Sequence, residues 1–594
     1  MNNHDDPTPW IGLRPAAIDD AQLLFEWVNQ PDSLSRKLQA KGPIALADHM
    51  RWFTARLTNA DCRIWIAQVD GADVGQVRVE RKGPGLEVDV FVVAEQRRRG
   101  VAKGMIEAAA RESALHWPGQ ALIARIKPDN LASQRLFAAA GYAEKAKHSD
   151  HVEYALQMPT PTDPPRRKFA LSNQLYERAL KTIPLASQTF SKSAMNFVRG
   201  ASPLFLDRGD GCRVWDVDGN EYIDYVLALM PVVLGYRDPD VDAAVRRQLD
   251  KGIIFSLSTE LEIELAERLV RLIPCAEMVR FGKNGSDATS AAVRLARAHT
   301  GRDRIGVCGY HGWHDWYIGT TTRSLGVPPA VRALSTTFPY GDVEFVERML
   351  AADPNGFAAV VLEPVAANGP SVEFLRALRA LTERYGVVLI FDEIVSGFRM
   401  DLGGAQRTVG VTPDLAAFGK AMANGMPIAA VVGRRDIMRR MEDIFFSGTF
   451  GGEALSLAAS IATIDKLEKL NGPARIEALG RRLIAGINAI LTPAVPSASI
   501  TGMGWHPMVT VAESDPARRV TVVSLLRQEL VANGILAGGG INTSLAHDNE
   551  AVVSATVQAW RNAATAVAAA LASGTPERFL RGDLIRPVFQ VRAT

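Results

Sequence analysis

The chain contains 594 residues, of which 67 are lysine or arginine, 65 are aspartate or glutamate, and 47% are hydrophobic. Its net charge of +2 is too small to indicate a dedicated nucleic-acid or membrane-surface binder. No run of about 20 apolar residues and no charged-then-apolar leader predicts a membrane span or a secretion signal. The four cysteines are scattered and indicate neither a disulfide framework nor a zinc site: Cys62, Cys212, Cys275 and Cys308. We expect a cytoplasmic protein of several domains.

The segment VDVFVVAEQRRRGVAKGMIEAAARESAL predicts a strand, a turn and a long helix. Within it, Arg97, Gly100 and Ala102 fit the pattern R/Q-x-x-G-x-G/A at the start of the helix. Consecutive backbone amides at such a helix start would bind a pyrophosphate, and the neighbouring arginines would add positive charge. The alternative interpretation is an ordinary basic helix start.

Further along, IKPDNLASQRLFAAAGYAE predicts a strand, then Asn130 and Ser133 at a helix start. With the opening LLFEWVNQPDSLSRK, these motifs resemble the GNAT N-acetyltransferases over about residues 10 to 158. The opening is most similar to members that acetylate amino sugars. The resemblance implies an α+β domain that uses acetyl-coenzyme A, held by Arg97, Gly100, Ala102 and Asn130.

The sequence does not settle which residues of this domain act as general acid and general base in acetyl transfer. Many GNAT enzymes carry a tyrosine where this chain has Phe137, and that tyrosine can protonate the departing thiolate. Glu87 and Asp89, on the strand before the loop, are candidate bases. Alternatively, Glu87 and Asp89 are solvated acids at the edge of a strand. A domain that binds its ligand without catalysis is the alternative.

The proline-rich stretch MPTPTDPPRRKF predicts a semi-rigid linker at residues 159–170. It separates residues 1–158 from residues 171–594. In the second part, apolar strands alternate with amphipathic helices, which predicts an α/β domain with a mostly parallel sheet over about residues 235–480. We expect a smaller α+β subdomain from the N-terminal segment and about residues 481–594.

Two carboxylates end an apolar strand in the segment FDEIVSGFR. Either the strand reaches the surface there, or a positive group meets Asp392, because an unpaired buried charge is costly. Downstream, Lys420 lies between a short apolar run and a glycine-bearing loop. Upstream, GKNGSD precedes an amphipathic helix, so that its amides and the Ser286 hydroxyl would form a cradle for a phosphate.

A lysine, a strand-end acid and a phosphate cradle together predict a pyridoxal phosphate site. The cofactor needs a lysine amine that binds its aldehyde, which is Lys420. It also needs a carboxylate against the pyridine nitrogen, which is Asp392, because only the protonated ring withdraws electrons strongly. The alternatives are a solvated surface lysine and a surface acid.

Seven motifs in order resemble the class III, fold-type-I aminotransferases, and most of all glutamate-1-semialdehyde aminomutases. They are RVWDVDGNEYIDY, GKNGSDAT, GYHGWHD, LEPVAANG, FDEIVSGFR, FGKAMANGMP and GTFGGEALSLAA. The resemblance implies phosphate contacts from Asn284, Gly285 and Ser286. It also implies that Tyr310 stacks on one face of the cofactor ring, that Ile394 packs on the opposite face, and that Asn368 binds the ring oxygen. The resemblance further implies a homodimer, in which Thr449 reaches the phosphate of the second subunit. Arg199 would bind a substrate carboxylate.

The sequence departs from the aminomutases on the substrate side. Leu229 replaces a tryptophan, and Trp313 and His314 alter the YHGHAD motif. Glutamate-1-semialdehyde is therefore a doubtful substrate. His311 and His314 also permit a metal interpretation, but HGWH lacks a third ligand and we expect no metal site.

We expect a bifunctional enzyme in which one part makes an amine and the other acetylates an amine. The substrates are small molecules, and an amino sugar of surface polysaccharide synthesis is favoured by the family likeness alone. The rival hypothesis is an aminomutase whose N-terminal domain only binds ligand.

Overall fold

The computed structural model describes most of the chain, namely residues 12–30, 33–34, 42–69, 72–83, 85–97, 99–117, 120–157, 167–366 and 369–586. The chain forms two compact units. The first contains Met1–Arg167, Val198–Ala201 and Ser573–Leu584, and the second contains Lys168–Phe197, Ser202–Ala572 and Ile585–Thr594. The division after Arg167 falls within the predicted linker, of which residues 159–166 lie outside the described residues. Sequence reasoning did not anticipate the two short segments that join the first unit.

The first unit contains one seven-stranded sheet in the order β1-β2-β3-β4-β5-β7-β6. Its strands are β1 (Gly12–Pro15), β2 (Cys62–Val69), β3 (Ala72–Lys82), β4 (Gly85–Val92), β5 (Ala121–Ile126), β6 (Ala143–Lys147) and β7 (Val152–Gln157). Its helices are α1 (Ala21–Val28), α2 (Leu46–Leu57), α3 (Val101–His116) and α4 (Leu131–Ala139).

All neighbouring strands of this sheet are antiparallel except β4 and β5, which are parallel. These two strands pair only at their beginnings, where Leu86 faces Leu122 and Glu87 faces Ile123. Beyond that point β4 continues to Val92 without β5 beside it. The sheet therefore opens between the two strands, just before the loop that leads into α3.

The second unit is built from thirteen strands and fourteen helices among the described residues. The strands are β8 (Leu206–Asp210), β9 (Arg213–Asp216), β10 (Glu221–Asp224), β11 (Met278–Gly282), β12 (Arg304–Cys308), β13 (Ser335–Thr337), β14 (Phe357–Leu362), β15 (Val388–Asp392), β16 (Leu415–Phe418), β17 (Ala429–Gly433), β18 (Ala498–Met503), β19 (His506–Val511) and β20 (Ile535–Leu536).

The α-helices of this unit cover the sheet and form most of its C-terminal part. They are α5 (Ala170–Ala179), α6 (Pro239–Leu249), α7 (Glu260–Leu272), α8 (Gly285–Thr300), α9 (Asp315–Ile318), α10 (Pro329–Arg332), α11 (Val343–Ala352), α12 (Val372–Tyr385), α13 (Ala405–Val409), α14 (Arg435–Met438), α15 (Ala454–Lys469), α16 (Gly472–Ala494), α17 (Pro516–Ala532) and α18 (Glu550–Ala572).

The central sheet has seven strands in the order β11-β17-β16-β15-β14-β12-β13. Only β17 is antiparallel to its neighbours, so the prediction of a mostly parallel sheet is confirmed. Every residue of β14 and β15 is buried. This is why these strands read as continuous apolar runs: helices cover both faces of the sheet, and no polar face is needed.

Two smaller sheets complete the second unit. In one, β10 pairs with β20, which joins the N-terminal and C-terminal segments assigned to the small subdomain. In the other, β18 and β19 form an antiparallel hairpin. The hairpin is held against α16, because the amide of Trp505 donates to the Glu477 carboxylate at 2.9 Å. None of the helices in the described part of the chain has the length and apolar character of a membrane span.

The contact between α16 and this hairpin depends on two glycines. A Cβ at Gly480 would overlap the carbonyl group of Gly504, and a Cβ at Gly504 would overlap the carbonyl oxygen of Glu477. Both obstacles are backbone atoms, which cannot move aside as a side chain can. The backbones of the helix and the hairpin turn thus approach each other directly.

We predict that Gly480→Ala destabilises the protein by about 1–3 kcal/mol, because the added methyl group forces the two backbones apart. The urea-unfolding midpoint and slope measure this change. Gly486→Ala in the same helix is the control, since its new methyl group would meet only the Val557 side chain at 3.2 Å. Equal stabilities of the two variants would contradict the close backbone contact.

Candidate active site

Four neighbouring strands of the central sheet, β12, β14, β15 and β16, bring polar residues to one edge. Tyr310 and His311 follow β12, Glu363 follows β14, Asp392 ends β15, and Lys420 lies two positions after β16. Parallel strands have their carboxyl ends at the same edge, where ligands of such sheets bind. The strand pairing alone therefore gathers these side chains.

A cavity of about 400 Å³ lies at this edge. Its polar lining includes Glu363, Asp392 and Lys420, so the strand-end acid and the lysine face the same space. The β18–β19 hairpin supplies another wall. The apolar and aromatic lining includes Met230, Tyr340, Val365, Val395, Met503, Trp505 and Met508.

Asp392 is buried, with 4% of its surface exposed, and is met by a histidine. His311 Nδ1 lies 2.8 Å from Asp392 Oδ2, and its Nε2 donates to the carbonyl oxygen of Cys308 at 3.0 Å. Because a carbonyl can only accept, Nε2 carries a proton, and an ionised Asp392 requires one on Nδ1 as well. The other carboxylate oxygen accepts from the Ile394 amide at 3.1 Å. Asp392 thus has two hydrogen-bond partners, His311 and the Ile394 amide, and also lines the cavity.

Burial lowers the pKa of the Lys420 amine, and the nearby carboxylates of Glu363 and Asp392 oppose this effect. The backbone of Lys420 has a φ of 41°, which is uncommon for a residue with a side chain. Such conformations persist where surrounding structure fixes them. Burial also raises the pKa of Glu363, and the charge of Asp392 adds to that rise.

Glu363 holds the loop after β12 in place. Its Oε1 accepts from the Tyr310 amide at 2.7 Å. This approach requires the glycine at position 309, because a Cβ there would lie 2.7 Å from the same carboxylate oxygen. Sequence reasoning assigned no role to Glu363 or to His311 as the partner of Asp392.

The predicted phosphate cradle lies at the start of α8. Asp287 accepts from the Asn284 amide at 2.8 Å, whereas the amides of Gly285 and Ser286 donate to no acceptor in the described part of the chain. The Ser286 hydroxyl is buried and accepts from the Trp313 amide at 3.3 Å. The helix start therefore offers two free amides to an anion.

Ile394 connects this cradle to the lysine. Its side-chain atoms lie 3.1 Å from a Cβ built on Gly285 and 3.0 Å from one built on Gly419. Tyr310 is half exposed, and its ring meets that of Tyr317 edge to face at 5.6 Å. Both side chains are thus close to the elements that carry Asp392 and Lys420.

Three predicted site residues are not brought to this cavity by the contacts observed. Asn368 lies outside the described residues. Thr449 is exposed, with Phe445 and Phe450 near it in the chain, 84% and 59% exposed. Arg199 belongs to the first unit, where its Nε donates to Asp583 Oδ2 at 2.9 Å.

His506 also lines the cavity and was not predicted from the sequence. Burial lowers the pKa of its imidazole to about 4. Its Nδ1 donates to the Asn542 side-chain oxygen at 3.0 Å, which leaves Nε2 as an acceptor. A neutral histidine of this kind cannot supply the positive charge that a substrate carboxylate would need.

In the first unit, the predicted pyrophosphate loop follows the opening between β4 and β5. Gly100 precedes α3 with a φ of 78°, a conformation that favours glycine. Ala102 is the second residue of α3, and Arg97 Nε donates to the Val92 carbonyl oxygen at 2.9 Å. The loop therefore delivers its amides to the end of the opened strand.

The remaining predicted residues of this unit have structural partners. Asn130 caps α4 by accepting from the Ser133 amide at 3.2 Å. Glu87 accepts from Arg125 at 2.7 Å and from Lys82 at 3.0 Å, and Asp89 lies 3.5 Å from Arg78. Phe137 is buried, and its ring packs edge to face against the ring of Tyr142. The Tyr142 hydroxyl has no hydrogen-bond partner among the described residues.

The two histidines of HGWH each contact another side chain. His311 pairs with Asp392, and His314 Nδ1 lies 2.6 Å from the Ser290 hydroxyl. Among the described residues, the group close enough to hold an ion is His148, His151 and Glu153 in the first unit.

Comparison with known proteins assigns both parts of the chain. The model of the class III aminotransferases matches residues 196–549, and the model of the GNAT acetyltransferase domain matches residues 11–143. A 3-aminobutyryl-CoA aminotransferase of Cloacimonas acidaminovorans is 40% identical over 356 residues, 59% of this chain and 85% of the relative. A glutamate-1-semialdehyde 2,1-aminomutase of Syntrophobacter fumaroxidans is 39% identical over 336 residues, 53% of this chain and 77% of the relative.

Among solved structures, the PLP internal aldimine form of the FumI protein of Sphingopyxis sp. MTA144 matches with a TM-score of 0.64 and 30% identity. The match covers 69% of this chain and 99% of that one. The fold of the second unit is thereby that of the PLP-dependent transferases. The chain belongs to the class III aminotransferases and carries an N-terminal GNAT acetyltransferase domain.

Proposed function

We propose that this protein transfers an amino group between small molecules with pyridoxal phosphate held between Lys420 and Asp392. The observation that carries the proposal is that a buried lysine and a buried carboxylate line the same cavity. The residues present fit the cofactor. A buried amine can bind its aldehyde, a buried acid can meet its ring nitrogen, and the free amides of Gly285 and Ser286 can bind its phosphate.

The other cofactor contacts extend this proposal. Asn284 lies beside the phosphate cradle, Tyr310 would stack on one face of the ring, and Ile394 would pack on the other. Asn368 would bind the ring oxygen. Thr449 would reach the phosphate site of a second subunit, which accords with its exposure and with the two exposed phenylalanines near it. Covering such side chains favours a homodimer.

When bound, pyridoxal phosphate would supply an electron sink for the bond broken at the amine-bearing carbon. Lys420 would move the proton at that carbon, and its lowered pKa makes the neutral amine more available than in a free lysine. Asp392 would keep negative charge at the ring nitrogen. His311 would fix the orientation of Asp392 through the 2.8 Å contact.

The side chains of the cavity wall affect which substrates can bind. Methionine and tryptophan side chains offer few partners for hydroxyl groups, and burying an unpaired hydroxyl is costly. The wall therefore favours an amine with an apolar portion over a polyhydroxylated sugar. The amino-sugar substrate inferred from the likeness of the first domain stays a prediction, and it can still apply to the acetylation step.

An aminomutase is the second candidate, and the 39% identity to a glutamate-1-semialdehyde 2,1-aminomutase favours it. Leu229, Trp313 and His314 depart from the aminomutase pattern on the substrate side. A transaminase requires a separate amino acceptor, whereas an aminomutase completes its turnover without one. This difference separates the two candidates in a single assay.

We further propose that the first unit transfers acetyl from acetyl-coenzyme A to an amine, with the pyrophosphate at Arg97, Gly100 and Ala102. The opening between β4 and β5 supports this, because an extended thioester arm could lie beside the part of β4 that does not pair with β5. With both activities in one chain, the protein would be a bifunctional enzyme, and we expect it to act in the cytoplasm. Consecutive steps in one chain would raise the local concentration of a shared amine.

The first prediction from the proposed function concerns Lys420. The purified protein should be yellow, and borohydride reduction should fix the cofactor to the peptide that contains Lys420 by mass spectrometry. Lys420→Ala should lose the visible absorbance and the modified peptide, because no other buried amine lines the described part of the cavity. Lys469→Ala, at an exposed lysine, is the control. Unchanged absorbance in Lys420→Ala would refute the assignment.

The second prediction concerns the buried pair of His311 and Asp392. His311→Phe should lower the unfolding free energy by about 3–5 kcal/mol, because it leaves a buried carboxylate without its counterion. Adding Asp392→Asn to that variant should recover part of the loss. His314→Ala serves as control. A double variant no more stable than His311→Phe would show that the two side chains do not form a pair.

The third prediction concerns acetyl transfer. Protein incubated with labelled acetyl-coenzyme A and a panel of amines, amino sugars included, should release labelled N-acetyl product. Gly100→Val should lower the rate at least tenfold, since a β-branched residue does not adopt the φ of 78° that aims the loop amides. Gly83→Val, at a positive-φ turn with open space around it, is the control. Thioester binding without labelled product would favour a ligand-binding domain.

A further inference from the structure

The short turn between β6 and β7 has a histidine at each end. Lys147 faces Val152 in the register of the two strands, so the turn consists of residues 148–151. His148 and His151 close it, since the amide of His148 donates to the carbonyl oxygen of His151 at 2.8 Å. Residues that face each other across a hairpin have their side chains on the same side of the sheet. The turn therefore places two imidazoles next to each other.

Glu153 joins the two histidines because of its position in the chain. It lies two residues after His151, and alternate residues of an extended chain point to the same face of a sheet. One ligand atom from each of His148, His151 and Glu153 lies within 4.8 Å of the other two. The spacing H-x-x-H-x-E across a tight turn thus gathers two imidazoles and one carboxylate at the edge of the sheet, where β6 is the outer strand.

Both imidazoles retain a nitrogen that can bind a metal ion. The rings of His148 and His151 are stacked with their centroids 4.4 Å apart, and no described residue forms a hydrogen bond with the ring of His148. Nδ1 of His151 lies 2.8 Å from Asp150 Oδ1. Because an ionised carboxylate only accepts, Nδ1 carries a proton, and Nε2 of the neutral ring keeps its lone pair. A carboxylate against the other ring nitrogen is the usual device that orients a metal-binding histidine.

Two cations near Glu153 compete with a metal ion for its carboxylate. Lys145 Nζ lies 3.3 Å from Glu153 Oε1, and Arg125 Nε lies 3.4 Å from Glu153 Oε2. Both distances exceed those of strong charge-assisted hydrogen bonds. Arg125 holds Glu87 more closely, at 2.7 Å, and so keeps a carboxylate partner when Glu153 binds an ion. The Lys145 side chain is 57% exposed and returns to water, since surface ion pairs contribute little to stability.

The ligand atoms indicate which metal suits the group. Mg²⁺ and Ca²⁺ prefer oxygen ligands alone, whereas Zn²⁺ binds two imidazoles and a carboxylate and leaves the fourth tetrahedral position open. Zn–N distances of about 2.0–2.1 Å place the ligand atoms of a bound ion about 3.3–3.5 Å apart. From separations of up to 4.8 Å, the atoms must approach by about 1 Å, which rotation of the exposed His148 side chain allows.

We propose that His148, His151 and Glu153 bind one Zn²⁺ ion at the tip of the β6–β7 hairpin, with Asp150 orienting the ring of His151. The ion links the two ends of the turn to β7 and so stabilises the outer edge of the sheet in the first unit. Neither proposed reaction uses this ion. The metal site therefore stands or falls separately from the proposed amino transfer and acetyl transfer.

The test measures Zn²⁺ binding to the full-length protein after treatment with a chelator and dialysis. Competition with a chromophoric zinc indicator gives the number of ions bound and their affinity, and the visible spectrum of bound Co²⁺ reports tetrahedral ligation. The wild type should bind one ion per chain at this site. His148→Ala combined with His151→Ala should weaken that binding at least a hundredfold and remove the tetrahedral Co²⁺ spectrum, because both imidazole ligands are lost.

Single substitutions around the carboxylate should act in opposite directions. Glu153→Gln should weaken Zn²⁺ binding at least tenfold, because it removes a charged ligand, whereas Lys145→Met should tighten binding because it removes a competing cation. Asp150→Asn should weaken binding about ten- to a hundredfold, as expected for a residue that orients a ligand. Two matched controls should leave the affinity unchanged: Glu144→Gln, at an exposed acid of β6, and His299→Ala, at an exposed histidine of α8.

Equal Zn²⁺ affinity in the wild type and in the variant without both histidines would overturn the proposal, because the ion would then bind elsewhere. A wild type that binds no Zn²⁺ would overturn it as well. Unchanged binding in Glu153→Gln would exclude the carboxylate and with it the site of three ligands. His148→Ala alone, at an exposed position of the turn, supplies the same test should the double variant not fold.

Discussion

The second unit depends on one buried contact, in which the last residue of a fully apolar strand carries a charge. Asp392 ends β15 with 4% of its surface exposed, and His311 meets it from the end of β12. A lone carboxylate at this position would be strongly destabilising, so the two strand ends must be in register for the fold to be stable. The same register carries Glu363 and Lys420 to that edge. The constraint that stabilises the sheet therefore also assembles the site.

The cavity at this edge holds an unusual balance of charges. Two carboxylates and one amine line the same cavity, and burial raises the pKa of Glu363 while it lowers that of Lys420. Both shifts move the groups toward their neutral forms, except where a partner stabilises the charge. Asp392 has such a partner in His311, and Glu363 accepts only the Tyr310 amide among the described contacts. Under the proposed function, Asp392 is the carboxylate that would meet a cationic ring.

The sequence predicted the parts of the site that follow from strand order. Apolar runs alternating with helices implied parallel strands, and parallel strands imply that Asp392 and Lys420 share an edge. The start of α8 was predictable for the same reason, since GKNGSD stands before an amphipathic helix. Asn368 lies outside the described residues, and the roles of Thr449 and of the GNAT residues stay predictions.

Tertiary contacts decided what sequence reasoning missed. His311 was considered only as a metal ligand, because nothing local indicates that its ring faces a carboxylate 81 positions away. Arg199 was placed by likeness of its segment, but Asp583, 384 positions later, holds its guanidinium. Arg527 lies in α17 and is buried, although arginines normally face solvent. Its Nη1 donates to Asn196, 331 positions away, and no local periodicity could reveal that contact.

Under the proposed functions, the two parts of the chain would hold a phosphate in the same way, although their sheets differ. In each, a strand ends, a short loop containing glycine follows, and the first amides of a long helix remain available. The second unit adds a buried acid and a lysine to that cradle and so gains chemistry at a bound ring. In the first unit, the last residues of β4 pair with β3 but not with β5, and under the proposed function their backbone groups on that side would face an extended ligand. Amide donors at a helix start would provide the binding in both units, and the residues at the neighbouring strand ends would determine which reaction can follow.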